Sequence, residues 1–190
     1  MYDTSDIRKN LKVEIDGDPY VVVEFQFVKP GKGNAFTRTK LKNMKTGNVL
    51  ERTYRLGEKL TPASLEEKQM QYLYPDGDKY CFMDTQTYDQ VFLTEEQMGD
   101  ATNYLVENIV VDILFHGTEA IGVTPPTFVE LEVTKSDPGL KGDTSGGATK
   151  PATLSTGYTI NVPLFIDEGD VLRLDTRTGE YVERVQRGKK

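Results

Sequence analysis

Leu11-Lys12-Val13-Glu14-Ile15-Asp16-Gly17-Asp18-Pro19-Tyr20-Val21-Val22-Val23-Glu24-Phe25 is the stretch on which the fold turns. Apolar and polar residues alternate from Leu11 to Ile15, the period of two that a half-buried strand requires. Asp16-Gly17 follows, a dipeptide suited to a two-residue hairpin turn. Tyr20 to Phe25 is then dense in β-branched and aromatic residues, which pack well on a pleated surface. The stretch predicts a β-hairpin, and the chain on either side continues in the same style. Phe25-Gln26-Phe27-Val28 and Ala35-Phe36-Thr37-Arg38-Thr39-Lys40-Leu41 form a second strand pair flanking Lys29-Pro30-Gly31-Lys32-Gly33. Thr46-Gly47 turns into Val49-Leu50-Glu51-Arg52-Thr53-Tyr54, completing a small barrel's worth of strands by about residue 60.

Thr61-Pro62 reads as a boundary, because proline restricts its predecessor and cannot donate to a ladder. Met70 to Tyr74, an Asp76-Gly77 turn and Lys79 to Met83 repeat the pattern, and Asn108 to Phe115 is a strongly apolar strand. Thr94-Glu95-Glu96-Gln97 resembles a capping box that opens one short helical turn. Thr124-Pro125-Pro126 marks a second boundary. Beyond it come a strand from Phe128 to Val133, a Gly- and Thr-rich loop from Asp137 to Thr149, and strands around Ile160, Leu172 and Val182. The expectation is an all-β chain of three consecutive small β-barrels, at residues 1–62, 63–126 and 127–190. Blocks of this size bury only about 60% of their unfolded surface, so neighbours are expected to pack on one another.

Charge is distributed unevenly over the three blocks. The formal net charge is −7, but residues 1–62 carry 12 Lys+Arg against 8 Asp+Glu, whereas residues 63–126 carry 2 against 12. Between Glu24 and Glu51 no acid occurs, while Lys29, Lys32, Arg38, Lys40, Lys42 and Lys45 do. Attraction to phosphate is local, within a Debye length of about 10 Å, so an RNA partner would meet the first block. A solvated strand face would show the same cluster. One cysteine, Cys81, excludes an intrachain disulfide and suits a reducing cytoplasm. No basic and apolar leader opens the sequence, and no apolar run approaches the roughly 20 residues that span a bilayer. A soluble cytoplasmic protein is expected, with no membrane partner.

The residues offer little for catalysis. The chain has one His and one Cys, the side chains on which triads and metal centres usually draw. His116, where a strand ends at Phe115-His116-Gly117, reads as a turn residue, and Cys81, inside an apolar strand, as a buried inert thiol. No phosphate-binding lysine loop or dinucleotide fingerprint is present. No catalytic residue, cofactor or metal is expected. Two loops stand apart. Lys29-Pro30-Gly31-Lys32-Gly33 can form a tight tip, with Lys32 projecting between glycines that can take positive φ. An ordinary polar hairpin turn fits the same letters. Gly139 to Gly147 is long and glycine-rich, which suits either backbone approach to phosphate or plain disorder.

Taken jointly, the spacings resemble one family. The Lys29 to Gly33 tip is similar to the domain I tip of bacterial elongation factor P. Lys150, Ala152, Gly157, Ile160, Val162-Pro163, Ile166 and Gly169 resemble the same family's C-terminal pattern. Asp137 to Thr144 and Lys150 to Gly157 also look like it, and Tyr72-Leu73-Tyr74, Asp76-Gly77 and Val123-Thr124-Pro125-Pro126 cover the middle. The resemblance implies an SH3/KOW-like domain followed by two OB-folds in an elongated L shape. It implies a monomeric, non-catalytic translation elongation factor that binds both ribosomal subunits between the peptidyl and exit sites, beside peptidyl-tRNA. Such a factor promotes peptide-bond formation at stalling sequences such as consecutive prolines. Lys32 would be the tip lysine, extended by a lysine-modifying enzyme and held by Lys29, Pro30, Gly31 and Gly33. Gly142, Asp143 and Thr144 would form a loop facing the small subunit and mRNA. Two alternatives stay open, an elongation-factor-P-like paralogue and a general OB-fold RNA binder. The standard lysine tip argues against the first, and the scarcity of cations in residues 63–126 against the second.

Overall fold

The structure, a computed structural model, describes residues 1–138 and 147–189. It divides into two compact units, Met1–Glu66 with Leu114–Ile121, and Glu67–Ile113 with Gly122–Lys190.

The first unit is built on β1 (Tyr2–Asp3), β2 (Lys12–Ile15), β3 (Asp18–Val28), β4 (Phe36–Asn43), β5 (Val49–Arg55) and β6 (Lys59–Pro62), in the sheet order β1-β6-β2-β3-β4-β5. Asp16 and Gly17 both take positive φ, 51° and 82°, as a two-residue turn matching strand twist demands. Ile15 then sits opposite Asp18, and Lys12 opposite Val21. Ile7, Leu11, Val13, Val22, Leu41, Tyr54 and Leu60 form the core. Each fully buried aliphatic side chain there contributes on the order of 1.5–3 kcal/mol. The short strand β6 was not foreseen. It pairs with both β1 and β2, so the Thr61-Pro62 punctuation closes a strand rather than opening a linker. Pro62 is tolerated because it ends the strand.

The middle of the chain supplies β7 (Leu65–Asp76), β8 (Lys79–Asp84), β9 (Gln90–Thr94), α1 (Glu95–Met98), β10 (Val110–His116) and β11 (Glu119–Thr124), with sheet order β11-β10-β7-β8-β9. The predicted capping box is present. Gln97 N–H donates to Thr94 Oγ1 at 3.2 Å, and Thr94 N–H donates to Gln97 Oε1 at 2.9 Å. Met70, Cys81, Phe82, Leu93 and Ile113 are fully buried, so the thiol lies inside the core as expected.

The last third forms β12 (Phe128–Ser136), β13 (Thr149–Leu154), β14 (Thr159–Pro163), β15 (Val171–Asp175) and β16 (Glu180–Gln186), in the order β14-β13-β12-β15-β16. Its core of Leu131, Val133, Leu154, Val162, Ile166, Leu172 and Leu174 also takes in Tyr104, from the 3-10 segment Gly99–Tyr104. The neighbours therefore pack together within the second unit, as small blocks need to. Burial, with Tyr158 beside it, pushes the Tyr104 phenol up to about 12. Thr156 Oγ1 adds a 2.7 Å hydrogen bond to the Asn103 carbonyl. The fold is all-β, three curled sheets in succession, each with its own buried strand faces. Among the described residues, no helix is long and apolar enough to cross a membrane.

Candidate functional site

The longest ribbon in the first unit is the β3–β4 hairpin, and Lys29–Ala35 connects its strands. Eight residues of β4 alternate strictly. Thr37, Thr39, Leu41 and Asn43 are buried, and Arg38, Lys40 and Lys42 are exposed. Cations from the acid-free run thus share one face, where Arg38 stands opposite Gln26 and Thr53, and Lys40 opposite Glu24 and Glu51. Lys40 pairs with Glu24 at 3.3 Å. Both side chains are exposed, so the pair contributes at most about 1 kcal/mol.

A bulge between Val22 and Glu24 shapes the other face. The extra residue, Val23, resets the alternation, so that Val22 opposite Leu41 and Phe25 opposite Thr39 lie on the same side. At the Val22–Leu41 end this side is core. Farther out it is covered only in part, because Thr37 and Thr39 stay buried, with Tyr54 opposite Thr37, while Phe25 and Phe27 are 47% and 62% exposed. Along that stretch the inward positions of β4 are Thr37 and Thr39, and Thr39 Oγ1 satisfies itself on the Arg52 carbonyl at 2.7 Å. Arg38 stacks 5.4 Å from the Phe36 ring centroid and Arg52 lies 5.4 Å from that of Tyr54. The outer part of β3, beyond its pairing with β2, thus leaves its aromatic side chains open and is held by its ladder to β4.

Lys29, Gly31, Lys32 and Gly33 are exposed and Pro30 is half-buried. Lys32 makes no hydrogen bond or ion pair with any described residue. Gly33 takes φ +98°, where an L side chain is strained, while Gly31 does not adopt a left-handed conformation. The reading of two glycines at positive φ therefore holds for Gly33 alone. A Cβ placed at either glycine would meet nothing within 4 Å, so what surrounds Lys32 is open space.

The other predicted loop, Gly142, Asp143 and Thr144, lies outside the described residues. Its flank is anchored by Lys150, 7% exposed, whose ammonium donates to the Asp137 carbonyl at 2.5 Å. His116 is no free turn residue. Its Nε2 lies 2.6 Å from Glu14 Oε1, joining the tip of the β10–β11 hairpin to β2 within the first unit. Lys45 adds a second link there, 2.9 Å from Glu119 and 3.7 Å from Asp18. The hydrogen bond to Glu119 holds the Lys45 ammonium above its ordinary pKa. No group of three or more potential metal ligands occurs among the described residues. Sequence reasoning missed the exposed Phe25 and Phe27. Their alternation with Gln26 marked a strand, but whether a sheet face is covered is a tertiary fact.

Comparison with known proteins agrees with this geometry. The family descriptions that match are the elongation factor P KOW-like domain over residues 3–60, the elongation factor P OB domain over 65–123, and the elongation factor P C-terminal domain over 129–184. Elongation factor P of Desulfatibacillum aliphaticivorans is 57% identical over 98% of this chain and 100% of its own length. Elongation factor P of Syntrophus aciditrophicus is 55% identical, again over 98% of this chain and 100% of its own. A solved structure, eukaryotic translation initiation factor 5A from Methanococcus jannaschii, matches 65% of this chain and 91% of its own with a TM-score of 0.54. At 24% identity that likeness speaks to fold alone.

Proposed function

Because the chain belongs to the elongation factor P family, a family of translation elongation factors, we propose that it binds the ribosome beside peptidyl-tRNA and promotes peptide-bond formation at stalling sequences such as consecutive prolines. The observation that carries this reading is Lys32, an exposed cation without a hydrogen bond or ion pair to any described residue, in the loop that joins β3 to β4. A long cationic chain so placed is able to enter a crevice and ion-pair with an RNA end, where charge-assisted contacts are strongest. The ribosome supplies the catalysis, and this chain performs none. A bound factor lowers the barrier by restricting the tRNA end to a reactive geometry, a term that reaches several kcal/mol in favourable cases.

In this reading a lysine-modifying enzyme extends Lys32, and Lys29, Pro30, Gly31 and Gly33 present it. Gly142, Asp143 and Thr144 face the small subunit and the mRNA. The factor works in the cytoplasm as a monomer, between the peptidyl and exit sites and in contact with both subunits. Its modules fall at residues 1–62, 63–126 and 127–190. The acidic middle module limits nonspecific affinity, because binding strength rises with each phosphate neutralised.

The test is Lys32→Ala and Lys32→Arg in the native host, with a consecutive-proline reporter and an ordinary one. Both variants are expected to fall at least about tenfold on the proline template, alanine the further, with the ordinary template barely changed. Arginine keeps the charge but cannot accept a lysine-specific modification. Equal rescue by wild type and Lys32→Ala would remove the tip from the mechanism.

A further inference from the structure

The end of the third sheet carries a cation arrangement of a different kind, built around a buried carboxylate. Asp170 is 3% exposed. It accepts from Asp167 N–H at 2.9 Å, from Gly188 N–H at 2.7 Å and from the Arg184 guanidinium at 3.4 Å. Burial alone would raise its pKa, but these donors outweigh it and hold the carboxyl below its ordinary value. The clasp fixes two things. Arg184 is laid over the Phe165 ring, 5.0 Å from its centroid. The tail after β16 is pinned at Gly188, where an added Cβ would stand 2.7 Å from the Gly169 carbonyl carbon. Phe165 nevertheless remains 56% exposed. Arg187 and Lys189, one on each side of the pinned glycine, are exposed and make no hydrogen bond or ion pair with any described residue.

We infer that Phe165, backed by Arg184, together with Arg187 and Lys189 on either side of the Gly188 that Asp170 holds, is a binding site for a short single-stranded RNA segment. An aromatic face open to solvent takes an unstacked base, and a guanidinium behind the ring adds a cation–π contribution. The two free cations meet the flanking phosphates. Because a base has to leave its stack to reach the ring, the site discriminates against duplex. Asp167 and Glu168 share the turn and offset part of the positive charge, so the salt dependence is shallow and the ring carries the discrimination. The site goes beyond the tip-centred role proposed above and leans on it only for a source of such a strand, ribosomal or messenger RNA.

The experiment uses the full-length protein and fluorescein-labelled hexauridylate, with anisotropy read from about 50 mM salt upward. Phe165→Ala is expected to weaken binding about tenfold, while Phe165→Tyr, which keeps a ring, binds like wild type. The double change Arg187→Ala with Lys189→Ala flattens the slope of log affinity against log salt by about 1.4. A duplex of equal length binds more weakly than the single strand. Melting curves run alongside show each variant folded, since all three side chains are exposed. The tip reading is judged separately, on the proline template with Lys32 variants, and this site on oligonucleotide affinity with Phe165 variants, so a failure of the tip reading leaves this result intact. The proposal is overturned by absence of binding in low salt, by equal affinity of wild type and Phe165→Ala, by equal affinity for duplex, or by displacement with an acidic peptide as readily as with RNA.

Discussion

Two parts of this molecule present cations to solvent, and they do so by opposite means. At the β3–β4 tip nothing lies within 4 Å of where a Cβ would stand on Gly31 or Gly33, and Lys32 makes no hydrogen bond or ion pair with any described residue. At the far end of the chain, Gly188 is pressed against backbone. A Cβ added there would stand 2.8 Å from the Glu168 carbonyl oxygen and 2.9 Å from Gly169 Cα. Glycine at the tip keeps a lysine clear of everything, whereas glycine at the tail lets two backbones touch. One arrangement leaves its cation free to search, and the other fixes Arg184 and the backbone between Arg187 and Lys189. The difference teaches that exposure alone says little about how a charge is used. The carboxylate beneath it, or the lack of one, says more.

The comparison breaks first at Asp170. Asp170→Ala strands a guanidinium and two backbone N–H groups that now share one buried acceptor. A loss of about 3 kcal/mol is expected, read from chemical denaturation. The pH dependence follows from the direction of the shift. A carboxyl whose folded pKa is depressed contributes its stability above the unfolded value of about 3.9 and loses it as pH falls through the folded value. The gap between wild type and Asp170→Asn is therefore expected to stay constant from neutral pH down to about 4 and to close only below that. A gap that closes near neutrality would mean another group holds the tail.

How much of this was legible in the sequence differs between the two regions for a physical reason. The strand read at Ala35 to Leu41, the Asp16-Gly17 turn and the Thr94 to Gln97 box are local patterns, and each appears within two residues of where its letters placed it. The open tip was legible in part, because Pro30 and Gly33 act through their own backbones, whereas Gly31 does not take the left-handed conformation its letter allowed. The Asp170 clasp was not, since Gly188 lies 18 residues away and meets the carboxylate only after β15 and β16 have paired. Strands β6 and β13 were missed for a related reason. Lys59-Leu60-Thr61-Pro62 and Thr149-Lys150-Pro151-Ala152 contain prolines and little apolar periodicity, and their neighbours make them strands. The Val23 bulge left no mark in the letters, because Val21-Val22-Val23 reads equally well in either register.

A smaller effect sharpens the comparison at the tip. Gly33→Ala puts a side chain on a residue at φ +98°, with no crowding to add to the strain. The expected cost is about 1 kcal/mol, and less if the exposed loop relaxes. A thermal melt measures it directly. A loss as large as that of Asp170→Ala would show that the tip is packed rather than open.

The smallest effect on stability is expected at Gly31, and it is the most telling about function. Gly31→Ala requires no left-handed backbone and meets no atom within 4 Å, so its melt should match wild type. Alanine even narrows the unfolded ensemble slightly, which favours folding by a few tenths of a kcal/mol at a compatible site. If glycine is present only to make the turn, activity on a consecutive-proline template stays at the wild-type rate. If it is present to keep the approach to Lys32 clear, a single methyl group beside the lysine slows that template while the fold is untouched. The second outcome is expected, because the backbone at Gly31 does not need glycine and only the space around Lys32 does. A wild-type rate for Gly31→Ala, and for the bulkier Gly31→Val, would show that the openness of the tip has no part in its work.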